Sequence, residues 1–261
     1  MSYQTILYER QEAVATITLN RPSSLNSFND QMIAETIEAL KSCGRDAGVR
    51  CVVLTGSGRA FSAGQDLKDI SARDESFSIG DHIRHGYNEL VEQIVTLEKP
   101  IIGAINGVAA GAGCGIALAT DIRIAAHSAS FILAFGRVGL VPDSGASWTL
   151  PRLIGYARAY EMAVTGEAVS AEKALAWGMV NQIVPAEQMA EVVSAWARSL
   201  AGGPTLAFGL TKRAMRKSMT TGLTEAMAYE AALQEVAGRS RDFAEGASAF
   251  IEKREPEFDG A

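Results

Sequence analysis

The chain has 261 residues, 48% of them hydrophobic and 21% charged, which is enough apolar material for one large α/β domain with a small appendage. Its net charge is −6, its aromatic content is 7% and it has no basic run, so nucleic-acid binding is not expected. The opening stretch MSYQTILYERQEAV has no basic, apolar and small-residue signal pattern, and no apolar run reaches membrane-span length, so a cytoplasmic protein is expected.

Residues 3–9 and 13–19 read as two strands of a hairpin, rich in β-branched and aromatic residues. Asn20-Arg21-Pro22 ends the second strand. Ser27 or Asn29 can cap a helix over 30–43, where Met32, Ile33, Ile37 and Leu40 fall at helical spacing. Residues 50–55 form a short buried strand, closed by Gly56-Ser57-Gly58. A corner of small residues follows at 59–67. Residues 68–82 are polar and without periodicity, as expected of a loop or short helical turns. Helical spacing returns over 83–97, and Lys99-Pro100 launches the next strand.

Ile101–Asp121 is a second strand, corner and helix. Apolar residues 101–105 meet Asn106-Gly107, then Gly111-Ala112-Gly113-Cys114-Gly115, then an Ala/Ile/Leu helix. Small residues at such a junction let a ligand approach the backbone, and the free N–H groups of the helix start favour negative charge. They equally suit a tight turn and close helix packing. Strands follow at 121–126 and 130–135. A third corner, Gly139-Leu140-Val141-Pro142-Asp143-Ser144-Gly145, enters a helix holding Trp148 to Met162, with Pro151 in a first turn or at a kink. A helical segment at 170–178, a strand at 179–184 and a helix at 186–201 complete the core. Gly202-Gly203-Pro204 marks a boundary, and 204–252 is helical, with turns near Gly222 and Gly238. The chain therefore divides into a core, 1–203, and a C-terminal helical subdomain, 204–261.

Cys43, Cys51 and Cys114 are odd in number and irregularly spaced, giving neither a disulfide framework nor a zinc pattern. Cys114 has no histidine near it in sequence and reads as a buried structural thiol. Asp143 stands in apolar surroundings that raise a carboxyl pKa, while the helix behind it lowers it. Asp before Ser-Gly-Ala also reads as an N-cap.

Six motifs stand in register along the whole chain: Asn20-Arg21-Pro22; Phe61-Ser62-Ala63-Gly64-Gln65-Asp66; Lys99-Pro100; Asn106-Gly107 with Gly111-Ala112-Gly113; Gly139-Leu140-Val141-Pro142; and Phe250-Ile251-Glu252-Lys253-Arg254. Together they resemble the crotonase (enoyl-CoA hydratase/isomerase) superfamily. Leu25–Asp30, Val108–Gly113 and Ala247–Phe258 are most similar to its subgroup of 1,2-epoxyphenylacetyl-CoA isomerases. The resemblance implies an α/β fold, a spiral of ββα repeats with C-terminal helices that assemble trimers or pairs of trimers and cover the site. It implies an acyl-CoA thioester substrate, with coenzyme A as part of it, and no metal or redox cofactor.

The shared step of the superfamily stabilises a thioester enolate with two backbone N–H groups, and removing one such donor costs roughly 2.7–4 kcal/mol. By resemblance the donors are Gln65 and Ala112, whose side chains need only stay clear. Asp66 fixes the first loop or touches ligand. Ala63 offers main-chain contacts to adenine, and Gly111 faces the substrate. Hydratases of the family use two glutamates on water, and Gly115 and Phe135 stand at those positions. The remaining acid/base position is Asp143. One carboxylate and one oxyanion hole imply isomerisation, of a Δ3 to a Δ2 double bond or of a ring epoxide to an oxepin.

The acyl pocket is expected from Phe135, Val138, Leu140 and Trp148, with Asn88 toward the acyl end, His85 one turn earlier in a solvated or capping role rather than at that end, and His82 and His127 on the surface. Phe250 and Lys253 face adenine by resemblance, and Arg59 a phosphate. The alternatives are an enoyl-CoA hydratase, a dehalogenase-like aromatic substitution whose histidine and tryptophan positions hold Asn88 and Phe135, and a silent CoA- or RNA-binding relative.

Overall fold

The computed structural model describes residues 3–71 and 76–261. Strands β1 (Ile6–Gln11) and β2 (Val14–Leu19) form the expected antiparallel hairpin, turning at Glu12 with φ of 53°. Ala15, Ile17 and Leu19 alternate inward along β2. Asn29 caps α1 (Asp30–Arg45), its side chain accepting from Met32 N at 3.0 Å. At the other end Lys99 Nζ donates to the carbonyls of Cys43 and Asp46, a C-terminal tie that favours a cation there.

The core is a spiral in which each step lays one strand in a large sheet and the next in a small one. The steps are β3 (Cys51–Gly56) with β4 (Ala60–Ser62), β5 (Ile101–Ile105) with β6 (Val108–Ala110), and β7 (Ile122–Ala126) with β8 (Ser130–Ile132). The small sheet ends on β9 (Val169–Ser170) and the large one on β10 (Gln182–Val184). The large sheet runs β1-β2-β3-β5-β7-β10 and is parallel from β2 onward; the small one runs β4-β6-β8-β9. β5 is wholly buried, as a central parallel strand covered on both faces should be. The small-residue corners at 59–67 and 106–111 thus contain three-residue strands that the sequence did not announce.

Asparagines close these turns. Asn26 Nδ2 donates to the carbonyls of Ser57 and Ala60, and Asn106 Nδ2 to those of Gly58 and Ala60. Gly107 has no alternative, because a Cβ there would stand 2.1 Å from the Arg59 carbonyl oxygen.

Short helix α2 (Leu67–Ser71) follows β4. Of the polar stretch 68–82, residues 72–75 lie outside the described residues. Beyond it, α3 (Ile79–His82) and α4 (Asn88–Thr96) are joined by a wide π turn, Ile83–Tyr87. Helix α5 (Ala112–Ala119) is entirely buried, and Arg123 and Thr120 donate to its last carbonyls. The expected single helix after the third corner is two, α6 (Ala146–Ile154) and α7 (Tyr156–Thr165). Gly155, at φ 80° and ψ 157°, separates them in a conformation reserved for glycine. Pro151 sits inside α6 rather than in its first turn.

α8 (Ala171–Ala176) and α9 (Met189–Ala201) complete the spiral, and α9 packs on the large sheet. Beyond it lie α10 (Thr205–Ser218), α11 (Leu223–Ala237) and α12 (Arg241–Glu252). Arg50 ties this segment to the core, donating to Thr205 Oγ1 and to the carbonyls of Gly203 and Phe258. Lys212 adds a 2.9 Å ion pair to Asp121. Among the described residues, no helix is long and apolar enough to cross a membrane.

Candidate active site

The first and second corners press together. A Cβ on Gly64 would stand 2.6 Å from the Ala110 carbonyl oxygen and 3.3 Å from Ala112 N, and one on Gly113 would stand 2.7 Å from Ser62. Gly64 also has φ of 90°, so glycine is required there twice over. The main chain at Gln65 is held by a one-residue parallel bridge to Phe28: Phe28 N donates to the Gly64 carbonyl, and Asp66 N to the Phe28 carbonyl. That pattern turns Gln65 N–H away from Phe28. Ala112 N–H is the first of α5, beyond the reach of any intrahelical acceptor. Among the described residues neither N–H has an acceptor.

Both residues line a cavity of about 150 Å³, together with Ala63, Gly111, Phe135, Val138, Leu140 and Asp143. Gly111, at φ 51° and ψ −126°, turns the chain into α5, and its Cβ position is open space. Phe77, Tyr87 and His82 add an aromatic wall, and Leu67, Ile70, Ile79 and Ile83 an aliphatic one. Asp143 is the only carboxylate among the described lining residues. It does not cap α6: Gly145 is the cap position and no side chain bonds there. Ser144 Oγ donates to Asp143 Oδ1 at 2.7 Å. Burial pushes the Asp143 carboxyl above its ordinary range, outweighing the Ser144 hydrogen bond.

Gly115 explains how Asp143 reaches its place. A Cβ at Gly115 would stand 2.8 Å from both Cβ and O of Ser144 and 3.4 Å from the Asp143 carbonyl oxygen. The corner carrying Asp143 therefore occupies the space a longer side chain at 115 would need. Phe135 fills the other such position as a buried ring in the cavity wall.

Not every candidate residue lies in the cavity, and one expected on the surface does. Asp66 is outside the cavity lining and pairs with Arg21 Nη2 at 2.9 Å. Burial opposes its ionisation, but the Arg21 guanidinium and the N–H groups of Asp69 and Lys68 hold its carboxyl below the ordinary range. Arg21 also donates to the Ser27 carbonyl, which gives the Asn20-Arg21-Pro22 motif its structural use. Trp148 is not in the pocket. It lines a separate cleft with Thr211, Lys212 and Met215, and Arg152 lies over its ring at 4.1 Å. Asn88 is exposed, while its neighbour Tyr87 is buried and faces the cavity. His82, expected on the surface, has its ring 2.9 Å from Gln65 Oε1 and packed against Phe77 and Tyr87. His85 lines a separate cleft beside α1, and His127 faces Glu172 at the surface. Arg59, Phe250 and Lys253 are exposed and outside the cavity's described lining. Cys114 is fully buried, and burial pushes its thiol up to about 12, which removes it as a nucleophile.

Sequence reasoning missed Tyr87 and the Gln65 side chain. Tyr87 Oη donates to Gln65 Oε1 at 2.7 Å, and Gln65 Nε2 donates to the carbonyls of Phe28 and Asp66. The Gln65 side chain is anchored rather than merely out of the way. Burial and then the charge of Asp143 raise the Tyr87 hydroxyl above its ordinary range, so it stays protonated as a donor.

The chain matches the family model described as enoyl-CoA hydratase/isomerase over residues 9–261 and belongs to that family, the crotonase superfamily of enzymes acting on acyl-CoA. It is 47% identical over 257 residues to the 1,2-epoxyphenylacetyl-CoA isomerase of Escherichia coli (strain K12), covering 98% of each chain. It is 45% identical over 260 residues to a "Probable enoyl-CoA hydratase" of Rhodobacter capsulatus, covering 100% of each. The solved enoyl-CoA hydratase of Bacillus anthracis superposes with a TM-score of 0.92 at 34% identity, covering 99% of this chain and 100% of that one.

Proposed function

We propose that the chain is an acyl-CoA isomerase that rests a thioester enolate on the Gln65 and Ala112 N–H groups and uses Asp143 as its acid/base. The observation that carries this is the cavity composition: both N–H-bearing residues and a single carboxylate among the described lining. For a Δ3-enoyl thioester, Asp143 takes a proton from C2, the electron pair moves onto the thioester oxygen, and the proton returns at C4 to leave the Δ2 isomer. Backbone donors suit the enolate because they are already oriented when charge develops. A carboxyl raised by burial is a stronger base once ionised, which suits proton abstraction.

The acyl group proposed is a ring-epoxidised phenylacetyl thioester, rearranged to its seven-membered oxepin, with Δ3 to Δ2 isomerisation as a companion activity. Similarity to the Escherichia coli isomerase and the aromatic wall of the cavity support it. In this reaction the hole anchors the thioester while Asp143 assists opening of the epoxide. Both reactions are redox-neutral rearrangements, so no metal or redox cofactor is called for, and coenzyme A enters as part of the substrate. Gly111 borders the thioester end, and the Ala63 main chain, Arg59, Phe250 and Lys253 serve the nucleotide end. We further infer a trimer or pair of trimers built through residues 204–261, because Met215, Met219, Leu223 and Met227 are exposed there.

Hydration is the second reading, favoured by the name of the Rhodobacter relative. Mass spectrometry separates the two. Conversion of cis-3-enoyl-CoA or 1,2-epoxyphenylacetyl-CoA without change of mass supports isomerisation. Rapid gain of water by crotonyl-CoA, with neither isomerisation, sinks it.

A further inference from the structure

We propose that Tyr87 and His82 are positioning residues for the Gln65 main-chain donor, acting through the Gln65 side-chain amide. The proposal rests on Gln65 N–H being one of the oxyanion donors. Gln65 Nε2 faces two carbonyl oxygens, of Phe28 at 3.1 Å and of Asp66 at 3.3 Å, which can only accept. That fixes the amide orientation and leaves Oε1 toward Tyr87 Oη at 2.7 Å and His82 Nε2 at 2.9 Å. Tyr87 therefore donates, and His82 carries its hydrogen on Nε2. Both amide donors and both acceptor lone pairs are used, so the side chain has one orientation. The His82 ring is itself packed, its centroid 5.6 Å from that of Phe77 and 5.6 Å from that of Tyr87, which it meets edge to face.

The backbone explains why two residues five apart can reach one amide. In an α-helix, residues five apart point about 140° away from each other. Between α3 and α4 the chain instead takes a π turn, in which Asn88 N–H donates to the Ile83 carbonyl five residues back. A turn of that pitch brings residues five apart close to the same side, and such turns recur at functional sites. His82 and Tyr87 stand at its two ends, and both also line the cavity.

The amide belongs to the residue whose N–H points to the substrate. Among the described residues its main chain is otherwise held by the one-residue bridge to Phe28. The side chain adds a further bond to the Phe28 carbonyl and two bonds to the helical wall, so donor and wall become one rigid unit. Rigid placement matters because an oxyanion donor acts through its preset aim.

The test is the carbonyl stretch of bound phenylacetyl-CoA carrying ¹³C at the thioester carbon, read by isotope-edited infrared spectroscopy. The wild-type protein is expected to shift this band to lower frequency. Tyr87→Phe and Gln65→Leu, which keep the main-chain N–H, are expected to lose much of the shift and to lower kcat about tenfold with KM within about twofold. His82→Phe, which keeps an aromatic ring, gives the same readout should Tyr87→Phe fail to fold. Folded variants with the full shift and unchanged kcat overturn the proposal while leaving the isomerase reading in place. A wild-type protein with no shift overturns both the proposal and the assignment of the donors. Asp143→Asn separates the two further, since it is expected to lose turnover and keep the shift.

Discussion

Gly115 and Asp143 are one device seen from two sides. The glycine lets the third corner lie directly on α5, and the corner presents a half-buried carboxylate to the cavity. Gly115→Glu is therefore expected to give an unstable, inactive protein rather than a hydratase. Forcing side-chain atoms against the Ser144 backbone costs roughly 1–3 kcal/mol. Denaturant melts and crotonyl-CoA hydration measure both halves, and a stable Gly115→Glu protein that hydrates crotonyl-CoA would contradict it.

The raised Asp143 carboxyl has a second consequence. Its folded pKa lies above the unfolded value of about 3.9, so the fold disfavours the charged form. Stability from this group is complete below the unfolded pKa and is lost as pH rises through the folded one. Asp143→Asn should thus raise Tm at pH 7 while turnover is lost, a trade of stability for function. Wild-type turnover should in turn fall as pH drops through that raised pKa, at a higher pH than an ordinary aspartate gives. A Tm unchanged or lowered by the substitution, measured at pH 7, would contradict the first of these.

At the scale of elements, the spiral depends on the turns between paired strands. Asn106 closes one with two donated bonds and accepts a third from Gly56 N at 3.2 Å. Asn106→Ala is expected to cost about 1–3 kcal/mol in chemical denaturation, and to lower activity because the second corner begins there. A melt within experimental error of wild type would show that the turn holds without it.

The corners, the Asn-Gly turn and the long helices were legible in the residues, because glycine runs and apolar periodicity are local signals. Strands β4 and β6 were not, since three residues are too few to display alternation. Tyr87 and His82 escaped for a different reason. The π turn breaks the 3.6-residue period and brings His82, from the polar stretch, and Tyr87, from the helical one, to one amide, which no local spacing announces. Trp148 was misplaced because spacing gives a helix its apolar stripe but not which neighbour that stripe meets. The corner at 61–66 could be located by its small residues, but not the bonds of the Gln65 side chain to Phe28, His82 and Tyr87, which are 17 to 37 residues away in sequence.

Over the whole molecule, the C-terminal helices are bound to the spiral by half-buried polar ties. Arg50 reaches Gly203, Thr205 and Phe258, and Lys212 reaches Asp121. Burial lowers the Lys212 ammonium below its ordinary range although Asp121 opposes this. Lys212→Met leaves the Asp121 carboxylate without that partner, and loosening of 204–261 should appear as faster amide exchange confined to α10–α12. Uniform exchange across the chain would argue against a separable cover. Light scattering should give a mass three or six times that of the chain; a monomer at micromolar concentration would remove the assembly inferred for these helices.

In the proposed reaction one carboxylate and two backbone donors isomerise an acyl-CoA thioester. The most direct measurement compares wild type and Asp143→Asn on cis-3-enoyl-CoA and on 1,2-epoxyphenylacetyl-CoA, with products identified by mass and retention. Wild type is predicted to convert at least one of them without change of mass, and Asp143→Asn to be slower by about 100-fold or more while remaining folded. Equal rates in the two proteins, or no conversion of either substrate by wild type, would contradict the account.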